Sequence, residues 1–370
     1  VFAQIDTTYW EGSTDLKYVY HYKMVDGEKV KEGKYVTFYF NGQPRQIGFY
    51  NKNKKHQHWQ YFSPSGTLLK SENFENGVLN GDYWENASSG KVLKKATYKN
   101  DELDGRYLVY YESGFLKEDF FYENGHQNGI AKLYYTDGSL QMQVEMRGDS
   151  TFGSYKVYFP NGKLKEETIK NGVLNVDFYK RYHENGLLAQ DFKYKNSKLH
   201  GNYKTYHDNG KPNIIAQYEN DIPVGKWLEY YANDSLKTVG QYENGLENGY
   251  WKTYNNNGII YSEGQYFDAK FHGKWLVYYP NGIKKQEGNY KNGEAEGDWI
   301  FYYPNGEIAK KGIYKEDKEQ GLWQYFQTDG HLYMTGEMKD GKYHGWIKFY
   351  NPDGSLKRAG QFENGEQVDN

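Results

Sequence analysis

Glycine returns every 24 residues through most of this chain. Counting in steps of 24 from Gly33 reaches Gln57, Gly81, Gly105, Gly129, Gly153, Asp177, Gly201, Gly225, Gly249, Gly273, Gly297, Gly321 and Gly345. Twelve of these 14 positions are glycine, and 33 + 13 × 24 = 345, so no net insertion or deletion intervenes. A period of this length identifies a repeat array, in which each unit is one supersecondary element stabilised by stacking on its neighbours.

The other columns of the repeat define the unit. Five residues beyond the periodic position, 13 of 14 residues are aromatic, where the 19% aromatic content of the chain predicts about three. Two residues beyond it the column is aromatic except at Ala131 and Ile347. Nine residues beyond it stands glycine except at Asp234, usually after Asn, Asp or Ser. Asn-Gly between aromatic runs is a strong hairpin signal, because both central residues of a type I′ turn need positive φ. A second such pair follows in many units, as at Asn244-Gly245 and Asn292-Gly293. The unit therefore reads strand, tight turn, strand, tight turn, with type I′ geometry expected at the turns and no helical spacing.

The unit G-x-W-x-x-Y-Y-x-N-G-x-L…G-x-Y-x-N-G, as at Gly273–Gly282 and Gly288–Gly293, resembles the MORN-repeat variant found in bacterial antitoxin-like repeat proteins. The resemblance runs from Gly33 to the end of the chain. It implies an all-β fold: an elongated single-layer antiparallel β-sheet of about 14 tandem 24-residue β-hairpin repeats. It also implies binding or scaffolding in place of catalysis.

Composition has to be read through the period. Mean hydropathy is −1.02, which in an ordinary chain signals disorder, but 41 Tyr, 19 Phe and 9 Trp supply large apolar areas suited to pleated surfaces. Net charge is −3, with 46 basic and 49 acidic residues interleaved, which leaves no basic footprint for nucleic acid. No apolar run reaches the length of a membrane-spanning helix. The absence of cysteine removes disulfides and thiolate chemistry. The start Val1-Phe2-Ala3 fits the end of a signal-peptidase site, which points to the periplasm or cell surface; a cytoplasmic setting is the alternative.

Three segments are expected. Residues 1–32 form an atypical capping unit, residues 33–200 hold divergent repeats, and residues 201–370 hold regular ones, with the sheet continuous across 200/201. In the regular segment Trp227, Trp251, Trp275, Trp299 and Trp323 fill one column, and Gly240, Gly264, Gly288 and Gly312 fill another. Their coincidence suggests indole rings lying across strand glycines.

No catalytic, cofactor or metal site emerges. His56-x-His58 is the densest histidine pair and lacks an identifiable third ligand. The serines lack a nucleophile-elbow pattern, and no phosphate-binding glycine loop is present. The expectation is a non-enzymatic interaction or scaffold protein with another protein as partner. A carbohydrate- or cell-wall-binding module is the alternative, and an antitoxin-like inhibitor is a second alternative carried by the resemblance alone. The expected contact surface is the column Trp227, Trp251, Trp275, Trp299 and Trp323, or the column Tyr230, Tyr254, Tyr278 and Tyr302 on the other face. Exposure decides between them, since a binding row is open to solvent and a packing row is closed.

Overall fold

The structure, a computed structural model, describes residues 4–171 and 175–368. The Val1–Ala3 start, on which the expected export signal rests, lies outside the described residues. Among the described residues every regular element is a strand. The chain divides into two compact units, residues 1–186 and 187–370. The expected change of character at 200/201 falls inside one strand, Lys198–Tyr206.

In the first unit Gln4–Tyr9 pairs with Leu16–Val25, which pairs with Glu28–Phe38, and pairing continues in sequence order to Leu164–Asn171 with Asn175–Tyr182. In the second, Leu188–Lys195 begins a similar succession that ends at Leu356–Glu363 and Glu366–Gln367. All pairings are antiparallel, and strands pack on their sequence neighbours, so each unit is an open single-layer sheet. This is the all-β hairpin array that the columns predict.

The two turns of the repeat differ, which corrects the expectation of type I′ geometry at both. At the second turn Asn244 and Gly245 have φ of 50° and 85°, as a type I′ hairpin requires. At the first turn only the glycine is left-handed. Gly282 N–H donates to the Tyr279 carbonyl over 2.9 Å, Tyr279 N–H to the Ile283 carbonyl over 2.8 Å, and Gly282 has φ of 83°. This is a type I turn closed by a left-handed glycine. Its second residue is Pro280, whose ring fixes φ near −65°, incompatible with a type I′ turn.

The periodic glycine has its own role. Val239 pairs with Lys252 and Gln241 with Asn248, so residues 249–251 oppose the single Gly240 in a bulge. Gly249 enters it with φ of 70°. Gln57 holds the same position with φ of 59°, a conformation that a side chain disfavours.

Candidate functional site

Strand alternation and the bulge sort the columns onto two faces. Trp251 pairs with Gly264 on one face, and Lys252 pairs with Glu263 on the other. The tryptophan column therefore shares a face with the strand glycines. Tyr278, whose hydroxyl reaches Glu263, points to the opposite face.

The tryptophan face is a packed seam. A Cβ built on Gly240, Gly264, Gly288 or Gly312 would lie 1.9–2.2 Å from the indole of Trp251, Trp275, Trp299 or Trp323 respectively, so each ring lies directly on glycine backbone. Trp251, Trp275 and Trp299 are buried, and Trp323 is 0% exposed. Tyrosines connect the indoles edge to face. Tyr242 lies 5.3 Å from Trp251, Tyr266 5.4 Å from Trp275, and Tyr314 5.2 Å from Trp323, at interplanar angles of 84–89°. Such perpendicular pairs align ring edges with the negative faces of their neighbours. Trp227 is only half-buried, and there Ala216 takes the place that glycine holds ahead of the other four. Four of the five predicted tryptophans thus form a packed row sunk into the sheet in place of an exposed contact row. The physical reason is that glycine on the preceding strand lets the indole sink into the sheet.

The tyrosine face is organised by charge. Glu263 accepts hydrogen bonds from Tyr278 Oη at 2.6 Å and Tyr250 Oη at 2.8 Å, and it pairs with Lys252 Nζ at 2.8 Å. Burial alone would raise the Glu263 carboxyl, but these donors outweigh it and hold it below the usual range. One repeat on, Glu287 accepts from Tyr302 Oη at 2.5 Å and pairs with Lys284 and Lys274 at 2.7 and 3.1 Å. Burial again opposes ionisation, and the same kinds of donor bring Glu287 down to about 2. The Tyr278 hydroxyl is pushed up by burial first and then by Glu263. Tyr230, Tyr254, Tyr278 and Tyr302 are all half-buried. Around them stand exposed apolar rings and chains, notably Tyr250 (48%), Leu322 (53%) and Trp346 (43%), one residue beyond the periodic position.

The hairpin tips are stitched from repeat to repeat. Tyr231 Oη donates to the Tyr254 carbonyl, Tyr279 Oη to that of Tyr302 and Tyr303 Oη to that of Phe326, each over 2.8–2.9 Å. Asn233, Asn281 and Asn305 add side-chain bonds to carbonyls of the next tip. Sequence reasoning did not identify the acids or these stitches, because both join residues of different repeats. His58 meets Ser71 Oγ at 3.0 Å, and His56 Nδ1 accepts from Asn76 N–H, so the pair is engaged in local bonds.

This geometry defines a class, the tandem β-hairpin repeat protein with one closed aromatic face and one charged face. The family model described as a MORN repeat variant matches residues 31–52, 127–147, 153–171, 199–220, 223–244, 247–268, 271–292 and 295–316. The chain belongs to the MORN-repeat proteins. No curated protein sequence matches it. Among solved structures it is similar to TcdB2-TccC3, with 12% identity and a TM-score of 0.16 over 94% of this chain and 23% of the other. The Tc holotoxin pore of Photorhabdus luminescens gives 12% identity and a TM-score of 0.16, over 96% of this chain and 23% of that one. A porin-like protein from Bacteroides uniformis gives 14% identity and a TM-score of 0.12, over 70% of this chain and 94% of that one. The chain thus spans less than a quarter of the length of the first two.

Proposed function

We propose that the chain is a non-enzymatic binding scaffold whose contact surface for a partner protein is the tyrosine face of residues 187–370. The observation that supports this reading is the contrast between faces. The tryptophan side is closed onto glycine backbone, while the other side carries exposed Tyr250, Leu322 and Trp346 among ordered Lys–Glu–Tyr clusters. Exposed aromatic rings such as Tyr250 and Trp346 are the residue types that most often anchor protein contacts, and anchors repeated at one pitch add their separate contributions.

The test is affinity capture from the native source with the full chain and with a Leu322→Glu/Trp346→Glu double variant, read by mass spectrometry. A partner held by the parent chain and lost by the variant, with unchanged circular dichroism, supports the reading. Equal capture by both chains overturns it. Competition of the captured partner by a soluble glycan would favour the carbohydrate-binding alternative.

A further inference from the structure

Two lysines of the first unit fill aromatic boxes on the tryptophan face. Lys31 and Lys55 each stand two residues before the periodic position. Lys31 Nζ lies 5.4, 5.1 and 5.1 Å from the ring centres of Tyr20, Tyr35 and Tyr50. Lys55 Nζ lies 4.8, 5.3 and 4.8 Å from those of Trp59, Tyr61 and Phe74, and it donates to Tyr61 Oη over 2.7 Å. At these separations the ring quadrupoles attract a cation.

Ten periods later the box recurs without its occupant. Trp59, Tyr61, Phe74 and Tyr50 correspond to Trp299, Phe301, Tyr314 and Tyr290, and Lys55 corresponds to Ala295. The ring geometry is retained: Tyr50 lies 5.0 Å from Trp59 at 85°, and Tyr290 lies 5.1 Å from Trp299 at 89°. Ala295, these four rings and Gln286 line a cavity of about 230 Å³. Lys70 covers Tyr61 from the neighbouring box, and Lys310 correspondingly lies 4.7 Å from Phe301 and 4.8 Å from Trp323. Lys310 is also paired with Glu319 at 2.9 Å, so it belongs to the next box and is absent from the lining of this one. Acids stand at the rim: Asp317 accepts from Ala295 N–H at 2.6 Å, and Glu319 from Tyr314 Oη at 3.3 Å.

We infer that the Trp299–Phe301–Tyr314–Tyr290 box is a binding site for a trimethylammonium group. Ala295 vacates the space that a lysine ammonium fills in the equivalent repeat. Phe301 in place of Tyr61 removes the hydroxyl that accepts the hydrogen bond of that ammonium, while Tyr314 in place of Phe74 brings one that is turned to Glu319. A primary ammonium placed here would forgo that hydrogen bond, whereas a methylated cation has no proton to donate and gains from the ring faces and nearby carboxylates.

The experiment is titration of the full chain with tetramethylammonium chloride, followed by tryptophan fluorescence and calorimetry, with neopentyl alcohol as the neutral probe of similar shape. Saturable binding of the cation, at least tenfold tighter than that of the alcohol, is expected. Ala295→Lys, checked for folding by circular dichroism, should refill the box and weaken cation binding at least tenfold. Lys55→Ala should open a second site and raise the stoichiometry from one to two. Equal affinity for cation and alcohol, or a folded Ala295→Lys chain that binds as the parent does, overturns the inference. If Ala295→Lys does not fold, unchanged stoichiometry in Lys55→Ala overturns it instead. With the cage established, choline, a trimethyl-lysine peptide and phosphatidylcholine vesicles distinguish free, peptide-borne and lipid-borne sources of the group.

Discussion

The indole of Trp275 lies so close to Gly264 that a Cβ on the glycine would sit 1.9 Å from its Cε3. Gly264→Ala therefore forces the ring outward. Overpacking of this kind costs about 1–3 kcal/mol. Trp275 should come to resemble Trp227, which follows an alanine and is only half-buried. A red-shifted tryptophan emission with a lowered denaturation midpoint is expected; an unchanged spectrum would refute ring-on-glycine packing.

Paired replacement of Trp251 and Trp275 by alanine removes two buried indoles from one continuous seam. Each truncation alone costs about 3–5 kcal/mol. The pair should melt the surrounding repeats, seen as accelerated hydrogen exchange concentrated between residues 240 and 290. Retention of the parent melting temperature would show that these rings are dispensable for packing.

Gln57 occupies the left-handed bulge position that glycine fills in most repeats, with φ of 59°. A side chain there is disfavoured by about 1–2 kcal/mol, partly offset by the greater freedom of glycine in the unfolded chain. Gln57→Gly should raise stability by up to about 1 kcal/mol. Chemical denaturation monitored in the first unit reads this, and a loss of stability would contradict the assigned strain.

Glu287 has an ordinary value of 4.5 and is held at about 2 in the folded chain. A lowered carboxylate stabilises the fold fully above 4.5, and that contribution is lost as pH falls toward 2. Glu287→Gln should reduce stability at neutral pH by about 1–3 kcal/mol, as expected for hydrogen bonds to a charged group. It should also flatten the acid limb between pH 4.5 and 2. Parallel acid limbs for parent and variant would show that Glu287 is not the responsible group.

Removing the hydroxyl in Tyr279→Phe breaks its 2.8 Å bond to the Tyr302 carbonyl and leaves the ring in place. The expected loss is about 0.5–1.5 kcal/mol. Hydrogen exchange should rise at the tips around residues 279–283 and 303–307 and stay unchanged in distant repeats. A uniform rise throughout would contradict tip-to-tip coupling.

The period made the hairpins legible, and the joint columns of Trp251 with Gly240 and Trp275 with Gly264 made the seam legible. Both are local patterns repeated in register. The type I turn at Tyr279–Gly282 was hidden because Asn-Gly occurs in both turns, and only Pro280 distinguishes them. The tyrosine face was less accessible to sequence reading. Glu263 meets Tyr278 across 15 residues and a repeat boundary, a pairing that depends on the bulge register. The empty box becomes visible in sequence only when Ala295 is set beside Lys55, and the aromatic column alone does not suggest that comparison.

The tip stitches set the scale on which such a chain can change its length. Tyr231, Tyr279 and Tyr303 each reach a carbonyl 23 residues ahead, so inserting a single residue in a hairpin would pull two neighbouring tips out of step. Duplication or loss of a whole 24-residue block leaves every stitch with a partner. Growth is quantised: the array can lengthen or shorten by copying its gene segment in units of one 24-residue hairpin, and the number of units sets the length of the seam.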